Sequence, residues 1–377
     1  MRLPVIALGL IAAAVVACGG DDESPAPAAA TAPTSTAATA TPTPTLTPAP
    51  AATATSSPTA TATPVIVPTS EQEVLKELRE LAAGFRLVAV WGLGKNGISY
   101  RGPNGITVDA QDRVYVTEFQ GARFRKFSPH GDLLLEVGSQ GSGPGEFSLP
   151  IGIAVGADGS IFVSEAGNSR VQRFTADGDF VSSWGSLGEG PGQFRSAMGI
   201  AISEAGEVFV ADFGNHRVQV FSRDGKLLRS WGGFGTEPGQ FNNPIGLQIG
   251  PLGNVWVVDS RNDRVQTFTT EGELLRVWDD VGLAPQIISL SADGGFYLSS
   301  PSTNQVRHFS ADGEFLGYIG LGISPDDFQR LSDDELSGLD PSAQLASPHG
   351  TATDSSGAVY LADTQNGVVR KFVRVEE

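Results

Sequence analysis

Residues 198–232 read MGIAISEAGEVFVADFGNHRVQVFSRDGKLLRSWG, and this stretch decides the fold. It contains four short runs rich in aliphatic and aromatic residues, at 198–202, 207–212, 218–221 and 227–232. Gly, Asp and Asn separate these runs, and Asp224-Gly225 is a typical hairpin turn. The pattern predicts four short antiparallel strands joined by tight turns.

The same unit recurs six times along the chain. Its copies begin at Pro103, Pro150, Ala197, Pro244, Pro285 and Pro348. The first three intervals are 47 residues each. Four strands per repeat at this period are typical of propeller blades. We therefore predict an all-β fold, a six-bladed β-propeller, over residues 85–377.

A polar motif follows the second predicted strand of most repeats. In the third repeat it consists of Asp212, the triplet Asn215-His216-Arg217 and Gln219, and related residues follow Glu165 and Asp259. The motif resembles the NHL repeat over about residues 85 to 375. The resemblance implies that the connection between the second and third strands of a blade lies on the same face as the connection between blades. We call this face the rim.

The sequence also predicts how the ring closes. Residues 85–92 (FRLVAVWG) precede the first repeat and match the fourth-strand sequence at 226–232, including the final Trp-Gly. The last repeat ends after its third predicted strand, at 368–373. We therefore expect the N-terminal strand to complete the sixth blade, which leaves no free sheet edge.

The first part of the chain differs in composition from the repeats. Residues 1–17 combine a basic start with an apolar stretch too short to span a bilayer, and they precede Cys18, the single cysteine. This arrangement resembles a bacterial lipobox and predicts a lipoprotein signal peptide with acylation of Cys18. Residues 18–69, rich in Ala, Thr, Pro and Ser, are predicted to be a disordered tether, and residues 70–84 a short helix. The expected location is outside the cytoplasm, on a bacterial membrane.

Acidic residues and arginines are paired in the repeated motif. The pairs are Glu118/Arg123, Glu165/Arg170, Asp212/Arg217 and Asp259/Arg264. They are consistent with a rim surface for acidic ligands or with a repeated contact that locks the turn, and we favour the second because the feature serves every blade. Two blades depart from the pattern. Blade five has Ser300 and Gln305, and blade six keeps Asp363 but has Val368 in place of arginine.

The residue after each blade-opening position is predicted to edge the central channel. In blades one to six it is Asn104, Ile151, Met198, Ile245, Gln286 and His349. The polar members belong to the contiguous blades five, six and one. An insertion, about Leu321 to Ser347, falls on the same side and carries Asp326, Asp327, Asp333 and Asp334. These departures predict a ligand site at blades five, six and one, with an acidic loop that caps the channel, binds a cation or remains solvated.

Enzyme signatures are sparse. The fold resembles that of peptidylglycine amidating lyase, paraoxonase-like lactonases and streptogramin lyases, and His349 resembles one zinc-binding position of the first. The equivalent positions in the other blades carry no histidine, which disfavours a three-ligand zinc site. No cofactor is predicted, although a divalent cation (Ca²⁺ or Zn²⁺) remains open.

The leading hypothesis is a binding module that presents its rim to a protein, peptide or glycan. A cation-dependent hydrolase or lyase with its site in the channel is the first alternative, and a structural envelope protein is the second. The formal net charge of −17 disfavours nucleic acid as a partner. We expect a monomer that contacts the membrane only through its lipid anchor.

Overall fold

The structure is a computed structural model that describes residues 84–92, 99–320 and 344–375. The predicted signal peptide, Cys18, the tether and residues 70–83 of the predicted helix lie outside the described residues, as do Asp326, Asp327, Asp333 and Asp334. In the portion of the chain that is described, no helix is long and apolar enough to cross a bilayer.

The described residues form 24 strands in six four-stranded antiparallel sheets, which confirms the predicted six-bladed propeller. Blade one contains β2 (Pro103–Val108), β3 (Val114–Glu118), β4 (Arg123–Phe127) and β5 (Leu133–Val137). Blade two contains β6 (Pro150–Val155), β7 (Ile161–Glu165), β8 (Arg170–Phe174) and β9 (Phe180–Trp184). Blade three contains β10 (Ala197–Ile202), β11 (Val208–Asp212), β12 (Arg217–Phe221) and β13 (Leu227–Gly232).

The other three blades follow the same order. Blade four contains β14 (Pro244–Ile249), β15 (Val255–Asp259), β16 (Arg264–Phe268) and β17 (Leu274–Trp278). Blade five contains β18 (Ile288–Leu290), β19 (Phe296–Ser300), β20 (Gln305–Phe309) and β21 (Phe315–Tyr318). Blade six contains β22 (Pro348–Thr353), β23 (Val359–Asp363), β24 (Val368–Arg374) and, as its outermost strand, β1 (Phe85–Gly92).

Strand β1 closes the ring as predicted. It pairs antiparallel with β24, from Phe85 opposite Arg374 to Gly92 opposite Val368. Trp91 packs against Tyr360 of blade six and Phe127 of blade one, with ring centroids 5.4 Å and 5.8 Å away. The N-terminal strand therefore joins the last blade to the first through the sheet and through the core.

Two left-handed backbone positions recur in every blade. One precedes the blade-opening residue, at Gly102, Leu149, Ser196, Asn243, Ala284 and Ser347. The other lies in the turn between the second and third strands, at Ala122, Ser169, His216, Asp263, Asn304 and Gly367. In the NHL triplet the left-handed position is that of His216, with φ 54°, and not that of the preceding asparagine. Asn215 instead donates its side-chain amide to the Gly188 carbonyl oxygen (2.9 Å) and to the Asp212 carboxylate (2.8 Å), which joins the entering connection to the turn.

Glycines on the innermost strands allow neighbouring blades to approach closely. A Cβ on Gly105, Gly152, Gly199, Gly246 or Gly350 would overlap a backbone carbonyl oxygen of the following blade. In blade five the equivalent residue is Ile287, and the innermost strand β18 is only three residues long. Blade five therefore cannot pack its inner strand in the way that the other blades do.

The core lies between blades rather than within one sheet. One cluster joins Val116 and Phe127 of blade one to Tyr360 and Val369 of blade six, and similar clusters join other neighbouring blades. Because each sheet buries both faces against its neighbours, the second and third strands are almost wholly apolar or paired. The side chains free to vary are those of the connections and of the channel edge.

Candidate functional site

The repeated acidic residue of the rim is the centre of a hydrogen-bond network, best seen in blade four. Asp259 is fully buried and accepts the Asn242 N–H (2.6 Å), the Asn262 amide (2.8 Å), the Arg264 Nε–H (2.8 Å) and the Gln266 amide (3.2 Å). Each of these groups donates to the carboxylate, so its charge and its lone pairs are satisfied within the blade.

The arginine of the pair is engaged on its other edge as well. Arg264 donates to the carbonyl oxygens of Thr236, Glu237 and Gln240, which belong to the connection that enters the blade. Ion pairs also form between Glu118 and Arg123 (3.2 Å), Glu165 and Arg170 (2.5 Å), and Asp212 and Arg217 (2.8 Å). In blades two, three and four the motif arginine also ties the entering connection to its blade, and in all four blades it is committed to the protein itself.

Blade six departs from the sequence-based interpretation. Val368 occupies the motif arginine position, but Arg370, two residues later, places its Nε 2.6 Å from Asp363. Arg370 also donates to the Gln344 carbonyl oxygen, 2.7 Å away. Blade six therefore keeps the ion pair although Val368 stands at the motif arginine position, because the cation is supplied from the next residue on the same face of the strand.

Blade five has neither the carboxylate nor the motif arginine. Ser300 replaces the acid and donates its hydroxyl to the Leu283 carbonyl oxygen, while Gln305 occupies the arginine position. Arg307 lies where blade six has Arg370, but it forms no ion pair with any residue that the structure describes. Of the two predicted departures, the one in blade five is therefore a real change of chemistry.

At the channel edge, His349 is fixed in one orientation. It is 3% exposed, and its Nδ1 lies 2.9 Å from both the Ser347 carbonyl oxygen and the Thr364 hydroxyl. Because a carbonyl only accepts, Nδ1 carries the proton. Thr364 in turn donates to the Pro103 carbonyl oxygen, which links blade six to blade one. Burial lowers the pKa of His349 to about 4, so the imidazole is neutral at pH 7.

Three polar groups at the channel edge have no partner among the described residues. They are Nε2 of His349 and the side-chain amides of Asn104, which is 5% exposed, and Gln286, which is half-buried. We call these three residues the polar arc. Their blades are consecutive in the ring, and each group has hydrogen-bonding capacity that the described residues leave unused.

The described residues do not gather a metal site. No group of three or more His, Cys, Asp or Glu side chains is placed to hold an ion in the parts of the chain from 84 to 92, 99 to 320 and 344 to 375. The other histidines are far apart in the topology. His130 is exposed in a turn, His216 belongs to the rim of blade three, and His308 is buried in β20.

A second feature of the rim was not predicted. Three successive connections between blades expose large apolar side chains, Leu187 (74% exposed), Phe234 (71%) and Leu283 (60%). We call them the apolar arc. Phe234 packs on His216, with ring centroids 4.9 Å apart, while His216 Nδ1 accepts the Asn243 N–H at 3.1 Å. The signal was present in the repeats, because Leu187 and Phe234 align with the polar Gln140.

Comparison with a sequence model of the NHL repeat agrees with the motif. The model matches residues 147–174, 194–221 and 241–268. The chain therefore contains NHL repeats, which confirms the resemblance predicted from the sequence. No curated protein sequence matches the chain.

Similar solved structures are propellers with distant sequences. A streptogramin B lyase is 17% identical, has a TM-score of 0.54, and covers 78% of this chain and 100% of its own. A catalytically inactive virginiamycin B lyase from Staphylococcus aureus with quinupristin is 16% identical, with a TM-score of 0.54 and coverage of 77% and 100%. A gluconolactonase from Xanthomonas campestris is 16% identical, with a TM-score of 0.53 and coverage of 74% and 87%. At these identities the likeness shows the fold alone.

Proposed function

We propose that this NHL-repeat propeller is a membrane-tethered binding module that takes a peptide or a protein segment on its rim. The observation that carries the proposal is that two kinds of surface lie on different parts of the rim. The apolar arc lies on the connections that flank blades three and four, whereas the polar arc belongs to blades five, six and one. A chain that crosses the channel mouth could place apolar side chains on one arc and backbone groups on the other.

The apolar arc supplies contact area. Leu187 and Phe234 are held on short connections that the motif arginines Arg217 and Arg264 bind, so they are exposed without being on long free loops. Exposed apolar groups presented on a rigid frame are typical of protein interaction surfaces, and buried aromatic anchors contribute much of the binding energy there. The proposal therefore expects Phe234 to be the strongest single contributor.

The polar arc would fix the orientation of the bound peptide through hydrogen bonds. The amides of Asn104 and Gln286 each have both a donor and an acceptor, and the neutral His349 has a lone pair on Nε2. These groups match the N–H and C=O groups of an extended peptide backbone. A glycan could also use them, but the aliphatic Leu187 and Leu283 favour a peptide, because a sugar recognition surface has little use for branched aliphatic groups.

Selection from a displayed peptide library tests the proposal. Peptides enriched on the wild-type domain should lose at least tenfold in affinity on the variant Leu187→Ser/Phe234→Ser, which is about 1.4 kcal/mol or more. Leu252→Ser is the matched control, since Leu252 is 93% exposed on the opposite face, in the turn between β14 and β15. Failure to enrich any peptide, or equal losses in both variants, would contradict a peptide site on the apolar arc.

A hydrolase or lyase in the channel is the second candidate, and His349 is the observation that favours it. His349 has its Nδ1–H held by a carbonyl oxygen and its Nε2 lone pair without a partner among the described residues, which is the tautomer that a general base requires, although the pKa of about 4 makes it a weak base. Streptogramin B lyase and gluconolactonase share the fold. The described residues do not fit a cation with three protein ligands, so no step through a metal is derived.

Activity on a lactone and cyclic-peptide panel separates the two candidates. An enzyme should turn over at least one substrate, with or without added Mg²⁺, Ca²⁺ or Zn²⁺, and His349→Ala should abolish that turnover while peptide binding on the apolar arc persists. An inert wild-type protein that binds its selected peptide would support the binding module instead.

Membrane attachment through Cys18 is part of the proposal. The motivation is the lipobox-like sequence that ends at the single cysteine. The variant Cys18→Ser should shift the domain from the membrane fraction to the soluble fraction, while its propeller unfolds at the same temperature. Retention of Cys18→Ser at the membrane would contradict the lipid anchor and would leave the rim proposal unaffected.

A further inference from the structure

Each blade except blade five holds a carboxylate at the same point of the rim, between one backbone N–H and one or two arginines. The backbone donor is the residue 17 positions before the acid. The donors are Arg101, Ser148, Arg195, Asn242 and Ala346, which donate to Glu118, Glu165, Asp212, Asp259 and Asp363 respectively. The arrangement is a carboxylate receptor that each of these blades fills with its own side chain.

Blade five keeps two donors, a backbone N–H and an arginine, and lacks the carboxylate. The residue 17 positions before Ser300 is Leu283, and its N–H forms no hydrogen bond with the residues that the structure describes. Arg307 stands where Arg125 and Arg370 contact Glu118 and Asp363 at 2.9 Å and 2.6 Å. Serine in place of aspartate removes the carboxylate and leaves its position without that group.

The guanidinium of Arg307 is poorly satisfied within the protein. Its Nε is buried without a hydrogen-bond partner, and its hydrogen bond in the described part of the chain goes to the Gln305 side-chain oxygen at 3.3 Å. In blade four the entering connection gives Arg264 three carbonyl oxygens, but the interval from Pro244 to Pro285 is 41 residues, six fewer than the regular 47, and no such carbonyl reaches Arg307. A buried N–H donor without an acceptor, here the Nε–H of the half-buried Arg307, is destabilising unless something else binds it.

The surroundings hold the Arg307 side chain in place. A Cβ on Gly282 would overlap the guanidinium, so the glycine allows the backbone to lie directly against it. The rings of Phe315 and Tyr318 each lie 6.0 Å from the guanidinium carbon. Arginine is therefore preorganised rather than extended into solvent, which favours a specific anion contact.

We propose that blade five carries a binding site for a carboxylate supplied from outside the propeller, bound between the Arg307 guanidinium and the Leu283 N–H. The ligand class is a carboxylic acid of the size of an aspartate side chain or a C-terminal carboxylate, because blades one and six show which group this arginine and this N–H bind. The site goes beyond the proposed peptide function and stands on its own geometry. Leu283 links the two, since it is also the edge of the apolar arc.

Titration with acetate against chloride at constant ionic strength tests the site. The probes are the backbone amide resonance of Leu283 and the Nε–H resonance of Arg307, the latter assigned by its loss in Arg307→Gln. Both resonances should shift with one shared, saturable acetate curve, and the Nε–H resonance of Arg264 should not move. If both probes show no saturable shift in the wild type, the proposal is overturned.

Thermal unfolding of two variants completes the test. Ser300→Asp supplies the missing carboxylate, so it should raise the Tm in chloride and remove the acetate-dependent rise in Tm that the wild type shows. Arg307→Gln should remove that rise as well, whereas Arg276→Gln, a change at an exposed arginine of the preceding blade, should retain it. An undiminished acetate response in Ser300→Asp would overturn the proposal even if Arg307→Gln failed to fold.

Discussion

Blade four and blade five are neighbours with the same strand order, yet they use their rim differently. In blade four Asp259, Arg264 and the entering connection form one closed network, and Gly246 lets the next blade approach. In blade five Ser300 and Ile287 stand at the acid and glycine positions, and the entering connection is shorter. The difference shows where the repeat is committed to its own stability and where it is free to bind something else.

The comparison extends around the ring. Blades two, three and four are regular at the acid, at the arginine and at the channel edge, while blades five, six and one change at least one of these positions. In blade six Arg370 supplies the cation that Val368 lacks, so the change is compensated. Only a change without compensation leaves donors available, and this occurs in blade five among the described blades.

The largest expected effect is a loss of folding when blade six is deprived of its outermost strand, which comes from the N-terminal part of the chain. Deletion of residues 1–92 removes β1, exposes the edge of β24 and removes Trp91 from its contact with Tyr360. We expect aggregation and loss of a cooperative thermal transition, because an unpaired edge strand promotes association. Size-exclusion chromatography and calorimetry measure both outcomes.

The matched control for this truncation is deletion of residues 1–69, which leaves the propeller strands intact. Its Tm should lie within about 2 °C of that of the full chain, which corresponds to less than roughly 1 kcal/mol for a domain of this size. Equal Tm values for the two truncations would show that the ring does not depend on its N-terminal strand.

The next effect contrasts the acid of blade four with its counterpart in blade five. Asp259→Ala leaves the buried Arg264 without its carboxylate, which is expected to lower the free energy of unfolding by about 3–5 kcal/mol. Ser300→Ala loses one hydrogen bond, to the Leu283 carbonyl oxygen, at a cost of about 0.5–1.5 kcal/mol. Urea denaturation of both variants gives the comparison, and similar losses would show that blade five depends on its rim network as much as blade four does.

The fold was predictable from the sequence because the same four-strand pattern occurs six times. The period of 47 residues, the Asp-Gly turns and the match between residues 85–92 and 226–232 were enough to predict the blade number and the closure by β1. Each of these signals is local or depends on self-similarity, so none required knowledge of a long-range contact. The predicted helix at 70–84 begins before the described residues and stays a prediction.

The rim chemistry was less predictable because it depends on register. Arg370 compensates for Val368 only because both side chains belong to one strand and the second reaches the same carboxylate, which alignment by position alone does not reveal. The donor at Leu283 is a backbone N–H, so the residue type at that position gives no indication of it. The exposure of Phe234 required the structure, although its alignment with Gln140 could have indicated a change of surface.

A smaller effect concerns the contact between inner strands. Gly246→Ala places a Cβ against the Gln286 carbonyl oxygen, and the backbone of blade five must shift to accept it. We expect a loss of about 2–3 kcal/mol, in the upper part of the usual range for overpacking. Ile287→Val, one residue after that contact in blade five, should cost about 1 kcal/mol, as is usual for the loss of one methylene. Urea denaturation midpoints measure both losses. A larger loss for Ile287→Val than for Gly246→Ala would show that the inner strand of blade five is packed as tightly as those of the other blades.

The smallest effect is a pH dependence at the seam between blade five and β1. His308 is buried between Tyr297 (ring centroids 4.7 Å apart) and Phe85 (5.4 Å), and burial, together with the charge of Arg374, lowers its pKa to about 4, while Asp293 acts in the opposite direction. Because the folded pKa lies below the unfolded value near 6.5, the contribution to stability is complete above that value and is lost progressively as the pH falls from 6.5 to about 4. Each histidine adds at most about 1.36 kcal/mol per pH unit in this window.

Between pH 7 and pH 4.5, His308→Phe should therefore lose about 1–2 kcal/mol less free energy of unfolding than the wild type, whereas the exposed His130→Gln should follow the wild type. Urea denaturation at the two pH values measures the difference, and equal pH dependence in all three proteins would mean that His308 is not held neutral at this seam.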